Sequence, residues 1–151
     1  MRPLRIALFL SALALLLAAS PAEARRGGAT NVAFGLGADY LIDPEEGEFQ
    51  ATLALETPIV RALTVGARFG ALITSDSNDV GVPIDFRLRL RTSGLYFDGL
   101  IGPWLIFDSH DTLRLHGAFG FGVLTGSMSF GAEVGFLDDT GMIGLRLAFS
   151  L

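Results

Sequence analysis

The chain has 151 residues, no cysteine and a formal net charge of −5 at pH 7. Half of its residues are hydrophobic and only 18% are charged, and its mean hydropathy of +0.50 is high for a soluble domain. Without cysteine we expect neither disulfides nor a lipid anchor attached to cysteine. The acidic balance argues against nucleic-acid binding, because no basic surface is available to neutralise phosphates.

The first 24 residues have the pattern of a secretory signal peptide. Arg2 and Arg5 precede an apolar run from Ile6 to Ala19, and Ala22–Ala24 forms an A-x-A cleavage signature. An uncleaved membrane anchor is disfavoured, because the run is short for a membrane span and has different flanks. We therefore predict export and three segments: a signal peptide over 1–24, a short linker over 25–29 and a mature domain over 30–151.

Beyond the linker, apolar and polar residues alternate with a period of two, which indicates half-exposed β-strands. Turn residues bound eight such segments, and none contains an apolar run long enough for a membrane-spanning helix. The predicted strands are, in chain order, Thr30–Ile42, Phe49–Thr57, Leu63–Ile73, Ile84–Arg91, Leu95–Phe107, Thr112–Leu124, Met128–Leu137 and Met142–Leu151. In the fifth strand Pro103 cannot donate to a ladder, which predicts a β-bulge there.

The polar faces of these strands combine many glycines and alanines with charged residues. As the outside of a soluble barrel such a face would be sparse, whereas inside a narrow barrel the small residues leave space for arginines that pair with acids. We therefore predict that the apolar faces meet lipid and that the charged faces line the lumen. The predicted lumen charges are Asp39, Glu56, Arg68, Asp85, Arg87, Arg89, Arg91, Asp98, Arg114, Glu133 and Arg146. If the last hairpin turns over 138–141, Glu133 lies opposite Arg146 as a cross-strand ion pair.

The predicted connections separate by charge. With an even strand count both termini lie on one side of the barrel, and alternate connections lie on opposite sides. The connections on the side away from the termini hold all ten acidic residues of the connections and no arginine: 43–48, 74–83, 108–111 and 138–141. The connections beside the termini hold one arginine and no acid: 58–62, 92–94 and 125–127. This separation supports the strand parity and predicts an acidic outer rim, with both termini in the periplasm.

The signal peptide, the eight alternating segments and the alternating final strand Gly144–Leu151 resemble the small OmpA/OmpX-type outer-membrane β-barrels. The resemblance covers the mature chain as architecture. It implies an all-β, eight-stranded antiparallel up-and-down transmembrane barrel, a porin-like monomer in the outer membrane of a Gram-negative bacterium, surrounded by lipid and lipopolysaccharide. It also implies that Gly144–Leu151 is read by the outer-membrane assembly machinery. Such proteins usually end in an aromatic residue, whereas this chain ends in Leu151.

Residues that could support chemistry are few. Ser109 and His110 are adjacent in a predicted loop, but neighbours in a tight turn rarely meet as nucleophile and base, and a catalytic triad is recognised by its geometry. We therefore expect no enzymatic activity and no cofactor. Carboxylates of the first acidic loop could bind a divalent cation, but the simpler interpretation is a solvated loop, so no metal is assigned. The candidate ligands are Asp43, Glu45, Glu46 and Glu48.

The sequence favours a non-enzymatic outer-membrane barrel with a role in envelope structure or surface interaction, its lumen filled by arginines and carboxylates. A narrow passive channel is the first alternative, although six arginines would obstruct a barrel that is normally just wide enough for its own side chains. A soluble periplasmic β-barrel that binds an apolar ligand is the second alternative, and it predicts extraction without detergent.

Overall fold

The computed structural model describes residues 30–43, 45–107 and 112–151. They form eight β-strands, β1 to β8: Asn31–Leu41, Glu46–Val60, Leu63–Thr74, Val80–Thr92, Leu95–Ile106, Leu113–Thr125, Met128–Leu137 and Thr140–Ser150. Each strand pairs antiparallel with the next, and β8 pairs with β1, so the sheet closes into a barrel. The predicted all-β, eight-stranded antiparallel barrel is confirmed, while the predicted signal peptide and linker lie outside the described residues. Among the described residues, no helix has the length and apolar character required to cross a membrane.

The strand β2 begins at Glu46, three residues earlier than predicted. Glu46 and Glu48 are therefore strand residues, and their assignment to an acidic loop was wrong. Glu48 is only 1% exposed and lies inside the barrel, paired in register with Asp39 on β1 and Thr74 on β3. The strand is longer than predicted because Glu46 and Glu48 pair with residues of the neighbouring strands.

The strand β4 also begins early, at Val80, so the connection before it is shorter than the predicted 74–83. The bulge predicted at Pro103 is absent, because the register of β5 with both neighbours is the same on either side of this residue. The ladder between β4 and β5 skips Ile84 and Asp85, which lie opposite Pro103 and Gly102, and then resumes. The missing proline donor is thus accommodated by omitted ladder bonds rather than by an inserted residue.

The last hairpin has a two-residue turn, Asp138–Asp139, in which Asp138 adopts a left-handed φ of 55°. Short polar residues tolerate this conformation, which tight hairpins require. The turn is shorter than the predicted 138–141, so the register is shifted by two residues. Glu133 lies opposite Gly144 rather than Arg146, and the predicted direct pairing was wrong.

The barrel is apolar outside and charged inside. On β4, Phe86 and Leu88 are 54% and 42% exposed, whereas Arg87 and Arg89 between and beside them are 7% and 4% exposed. The same alternation runs along the other strands, because successive side chains of a strand point to opposite faces of the sheet. This polarity is the reverse of that in a soluble barrel, where apolar side chains fill the inside.

The interior has two layers. At the end away from the chain termini, six buried apolar side chains close the lumen: Leu41, Leu72, Trp104, Ile106, Leu137 and Met142. Between this apolar cluster and the terminal end, the interior is occupied by arginines, carboxylates and other polar side chains. The charged layer is therefore covered on one side and approaches solvent on the other.

Candidate functional site

Arg68 on β3 lies at the centre of the charged layer. Its guanidinium donates to Asp85 on β4 from Nε and Nη2, at 3.0 and 2.8 Å. From Nη1 it donates to Glu133 on β7 at 2.7 Å. All three side chains are buried, and β3 and β7 lie on opposite sides of the eight-stranded ring. The bond between Arg68 and Glu133 therefore crosses the lumen.

Asp85 links the charged layer to the apolar cluster. Its Oδ1 accepts a hydrogen bond from Trp104 Nε1 at 3.0 Å and lies 2.6 Å from His116 Nδ1. The rings of Trp104 and His116 stack with their centroids 4.3 Å apart. An Asp–His pair is also a component of catalytic triads, but His116 is fully buried and its Nε2 has no hydrogen-bond partner among the described residues. The pair is thus inaccessible to a substrate and serves to orient buried side chains.

Three arginines of β4 form a second group, nearer the termini. Arg87 and Arg89 both donate to Asp98 on β5. Arg87 Nη1 lies 3.0 Å from Glu56 Oε1 on β2, and Arg91 donates to Oε2 of the same carboxylate. Because every second residue of a strand shares a face, these guanidinium groups are stacked along the lumen wall and share two acids.

Glycines on the lumen wall make room for these large side chains. Tyr96 packs flat against β6 and β7, and a Cβ atom at Gly122 would lie 2.7 Å from Tyr96 Cε1, while one at Gly131 would overlap its hydroxyl. On the other face of the ring, the guanidinium of Arg89 lies 4.2 Å from the ring centroid, a cation–π contact. These two glycines therefore leave room for a bulky side chain in the lumen, whereas at Gly66, Gly70 and Gly102 an added Cβ would meet the backbone of the neighbouring strand.

The seam between the first and last strands is joined by an ion pair. Arg146 Nη2 on β8 lies 2.7 Å from Asp39 Oδ1 on β1 and 2.7 Å from Glu133 Oε2 on β7. A Cβ atom at Gly144 would overlap Asp39 Oδ1, and one at Gly37 would lie 2.7 Å from Arg146 Nη1. Both glycines thus leave the space in which the seam closes.

The structure places all eleven predicted lumen charges on the inward face. Ten of them join the two groups of ion pairs, the first holding Asp39, Arg68, Asp85, Glu133 and Arg146 and the second holding Glu56, Arg87, Arg89, Arg91 and Asp98. Arg114 is half-buried on the same face. Glu48 was missed, and it brings the number of buried acids among the described residues to six.

The four carboxylates that were candidate cation ligands do not converge. Glu48 points into the lumen, and Glu46 accepts from the backbone and side chain of Ser77 at 3.3 and 3.2 Å. Asp43 and Glu45 are exposed in the connection between β1 and β2. In the described part of the chain, no group of three or more His, Cys, Asp or Glu residues is suited to a metal ion. Ser109 and His110 lie outside the described residues.

The apolar cluster was not predicted either, although strand parity could have revealed it. Leu72 shares the inward face of β3 with Arg68, and Trp104 shares the inward face of β5 with Asp98. An apolar side chain at an inward position was the available signal. It matters for function because this cluster closes one end of the lumen.

The cavities inside the described part of the barrel are small. A cavity of about 20 Å³ lies among the central arginines, and one of about 90 Å³ lies at the terminal end. Both are far below the roughly 300–1,000 Å³ of a typical ligand pocket. The larger depressions, of about 540 and 300 Å³, are apolar grooves on the outer surface, on either side of Phe130 and Leu145.

Comparisons with known proteins show similarity of fold. No protein-family model and no curated protein matches the chain. A solved structure from work on the de novo design of transmembrane β-barrels matches with a TM-score of 0.64 at 11% sequence identity, over 85% of this chain and 99% of the designed chain. The de novo designed protein TMB2.3, solved by solution NMR, matches with a TM-score of 0.56 at 13% identity, over 84% and 98%. The chain thus has the fold of designed transmembrane barrels of this size.

Proposed function

We propose that this protein is an integral outer-membrane β-barrel without enzymatic activity, which contributes to envelope structure or to interactions at the cell surface. The observation that carries this proposal is the inverted polarity of the barrel, with apolar side chains outside and paired charges inside. Exposing apolar area to water costs about 25 cal/mol per Å², and an arginine facing lipid at mid-depth costs about 2–4 kcal/mol. A lipid environment avoids both costs.

The dimensions of the barrel support a membrane location. Its strands have 10–15 residues, and a tilted strand needs roughly 9–11 to cross a bilayer. Most exposed aromatic side chains lie towards the two ends of the barrel, where the membrane interfaces would be, whereas Phe86 and Phe119 lie midway along their strands. Those towards the ends include Tyr40, Phe49, Phe107 and Phe136 at the end away from the termini, and Phe97, Phe121 and Phe130 at the other. One of the two solved structures of similar fold comes from work on designed transmembrane β-barrels.

The orientation that we propose puts both termini in the periplasm. The connections away from the termini are acidic in their described parts, and the two-residue turn Arg61–Ala62 on the terminal side is basic. Together with the predicted signal peptide, this favours export and insertion from the periplasm, with lipid and lipopolysaccharide as surroundings and Gly144–Leu151 as the segment read by the assembly machinery. Because the barrel closes on itself and leaves no unpaired edge strand among those described, we propose a monomer.

Cell fractionation tests the membrane assignment. We expect the protein to remain with the outer membrane after alkaline carbonate extraction and to dissolve only with detergent. We also expect the unheated protein to migrate differently from the heated protein in a dodecyl sulfate gel, because a closed barrel resists unfolding by the detergent. Release into the soluble fraction without detergent would instead support a soluble periplasmic barrel.

A conducting channel is disfavoured by the contents of the lumen. The bond between Arg68 and Glu133 crosses its width, and the apolar cluster around Trp104 covers one end. Binding of an apolar ligand inside is disfavoured as well, because the spaces that remain are small and bordered by arginines. Planar-bilayer recordings of the purified protein are expected to show no steady single-channel steps, and regular steps would favour the channel.

A further inference from the structure

The cavity at the terminal end of the lumen is lined partly by hydrogen-bond donors and partly by apolar side chains. It measures about 90 Å³, and its polar wall includes Asn31, Arg89, Arg91, Ser129 and Ser150, with Glu56 as its one acid. A buried water needs roughly 10–15 Å³ of such space. This cavity, which we call the vestibule, therefore has room for several waters or for one small oxyanion.

The arginines beside the vestibule outnumber the acids that pair with them. Arg87, Arg89 and Arg91 share Glu56 and Asp98, so this group carries a net charge of +1. The other inward charges lie further along the lumen and are acidic on balance; they are Arg68, Arg114, Arg146, Asp39, Glu46, Glu48, Asp85 and Glu133. The positive excess of the lumen thus lies at the terminal end.

Arg91 is the point at which this excess meets solvent. Its side chain is 34% exposed, whereas those of Arg87 and Arg89 are 8% and 4% exposed. Its Nη2 donates to Glu56. A guanidinium fork matches the geometry of an oxyanion.

We propose that the vestibule binds a small oxyanion of the phosphate type, held by Arg91 with Arg89 and Ser129 at its sides. The oxyanion would meet the exposed part of the Arg91 side chain and would balance the local charge. Glu56 stays paired with the arginines and orients them towards the vestibule. The site is independent of any role in the envelope, and it makes the barrel a binding protein at its terminal face.

Calorimetric titration of inorganic phosphate into the full chain, purified in an uncharged detergent at constant ionic strength, tests this proposal. We expect saturable binding of one phosphate per barrel. The variant Arg91→Gln should bind at least about tenfold more weakly, because a charge-assisted hydrogen bond is lost. Arg61→Gln is the matched control, since Arg61 is exposed in a turn at the same end and lies outside the vestibule; its binding should be unchanged.

A second variant keeps the proposal testable if Arg91→Gln does not fold. Ser129→Leu fills the vestibule and keeps every arginine, so it should also abolish binding. Phosphate binding that is absent from the unaltered protein, or equal in all these proteins, overturns the proposal. Persistence of binding in Ser129→Leu overturns it as well, because the anion would then lie outside the vestibule.

A comparison of media distinguishes free phosphate from a lipid headgroup. If the phosphate of a headgroup occupies the vestibule, inorganic phosphate should bind more weakly in vesicles of phosphatidylcholine than in the phosphate-free detergent. If the ligand is a free ion, the affinity should be the same in both. Either result retains the site, whereas binding that does not depend on Arg91 in either medium contradicts it.

Discussion

Arg68 and Glu133 are joined across the full width of the barrel, with Arg68 Nη1 2.7 Å from Glu133 Oε1. The same guanidinium holds Asp85 on its other side, so one cation ties together β3, β4 and β7. All three groups are buried, so dissolved salt screens their interaction only weakly. The ion pair between Arg68 and Glu133 therefore both links opposite walls of the barrel and obstructs the lumen.

Replacement of Arg68 by methionine should strongly destabilise the barrel. The variant Arg68→Met leaves the carboxylates of Asp85 and Glu133 buried without their cation. Breaking a buried ion pair in this way costs about 3–5 kcal/mol, so we expect the free energy of unfolding to fall by that amount. Urea unfolding in lipid vesicles, followed by circular dichroism, measures it.

The control for this prediction is Arg61→Met, which removes an arginine from the exposed turn between β2 and β3. Surface substitutions of this kind usually change stability by less than about 0.5 kcal/mol. A comparably small loss in Arg68→Met would mean that the central ion pairs contribute little to the barrel.

The seam between β1 and β8 should depend on Gly144. In Gly144→Ala the added methyl group overlaps Asp39 Oδ1, the oxygen that Arg146 binds. Overpacking of this kind costs about 1–3 kcal/mol. We expect the unfolding midpoint in urea to fall and the unheated gel band of the closed barrel to be lost at a lower temperature.

Gly99 on β5 provides the matched control, because a Cβ atom there meets nothing within 4 Å. Gly99→Ala should leave both the urea midpoint and the gel shift close to those of the unaltered protein. Equal effects of the two substitutions would indicate a general strand effect of glycine replacement rather than a specific clash at the seam.

Strand parity was predictable from the sequence, but register was not. The alternation on β4 is sufficient to assign Arg87 and Arg89 to the lumen, because the side-chain period of a strand is two. The last hairpin is shifted by two residues from its predicted register, and such a shift leaves every side chain on its face. Arg146 therefore still reaches Glu133, diagonally and not as its direct cross-strand neighbour.

Two features depend on distant parts of the chain and could not be read locally. Glu48 looked like a loop residue because acids surround it, and its burial is set by Asp39 and Thr74 on the neighbouring strands. Strand parity assigns Trp104 to the inward face, but its contacts with Asp85 and His116 come from two other strands. In both cases tertiary pairing decides the environment of the side chain.

The hydrogen bond from Trp104 to Asp85 should contribute measurably to stability. The variant Trp104→Phe retains a ring for stacking on His116 but removes the indole N–H. A hydrogen bond to a charged group is worth about 1.5–3 kcal/mol, which is the loss we expect in the free energy of unfolding. Trp104 is the single tryptophan of the chain, so circular dichroism must replace fluorescence in this measurement.

Tyr40→Phe is the control for that substitution, because it also removes one polar group from an aromatic side chain, here an exposed one. It should change stability by less than about 0.5 kcal/mol. If Trp104→Phe behaves like Tyr40→Phe, the bond to Asp85 adds nothing beyond packing.

The outer face offers the most direct stability test of the membrane environment. Leu88 lies two residues from the midpoint of β4, points outward and is 42% exposed. In a bilayer, Leu88→Arg should lower the free energy of unfolding by about 2–4 kcal/mol, whereas Val60→Arg at the end of β2 should lower it by only about 0–1 kcal/mol, since the cost of arginine falls towards the interface. In a soluble barrel both arginines would meet water, and neither change should exceed about 0.5 kcal/mol. Unfolding of both variants in the same vesicles separates the two cases, because only burial of Leu88 in lipid makes the cost depend on position along the strand.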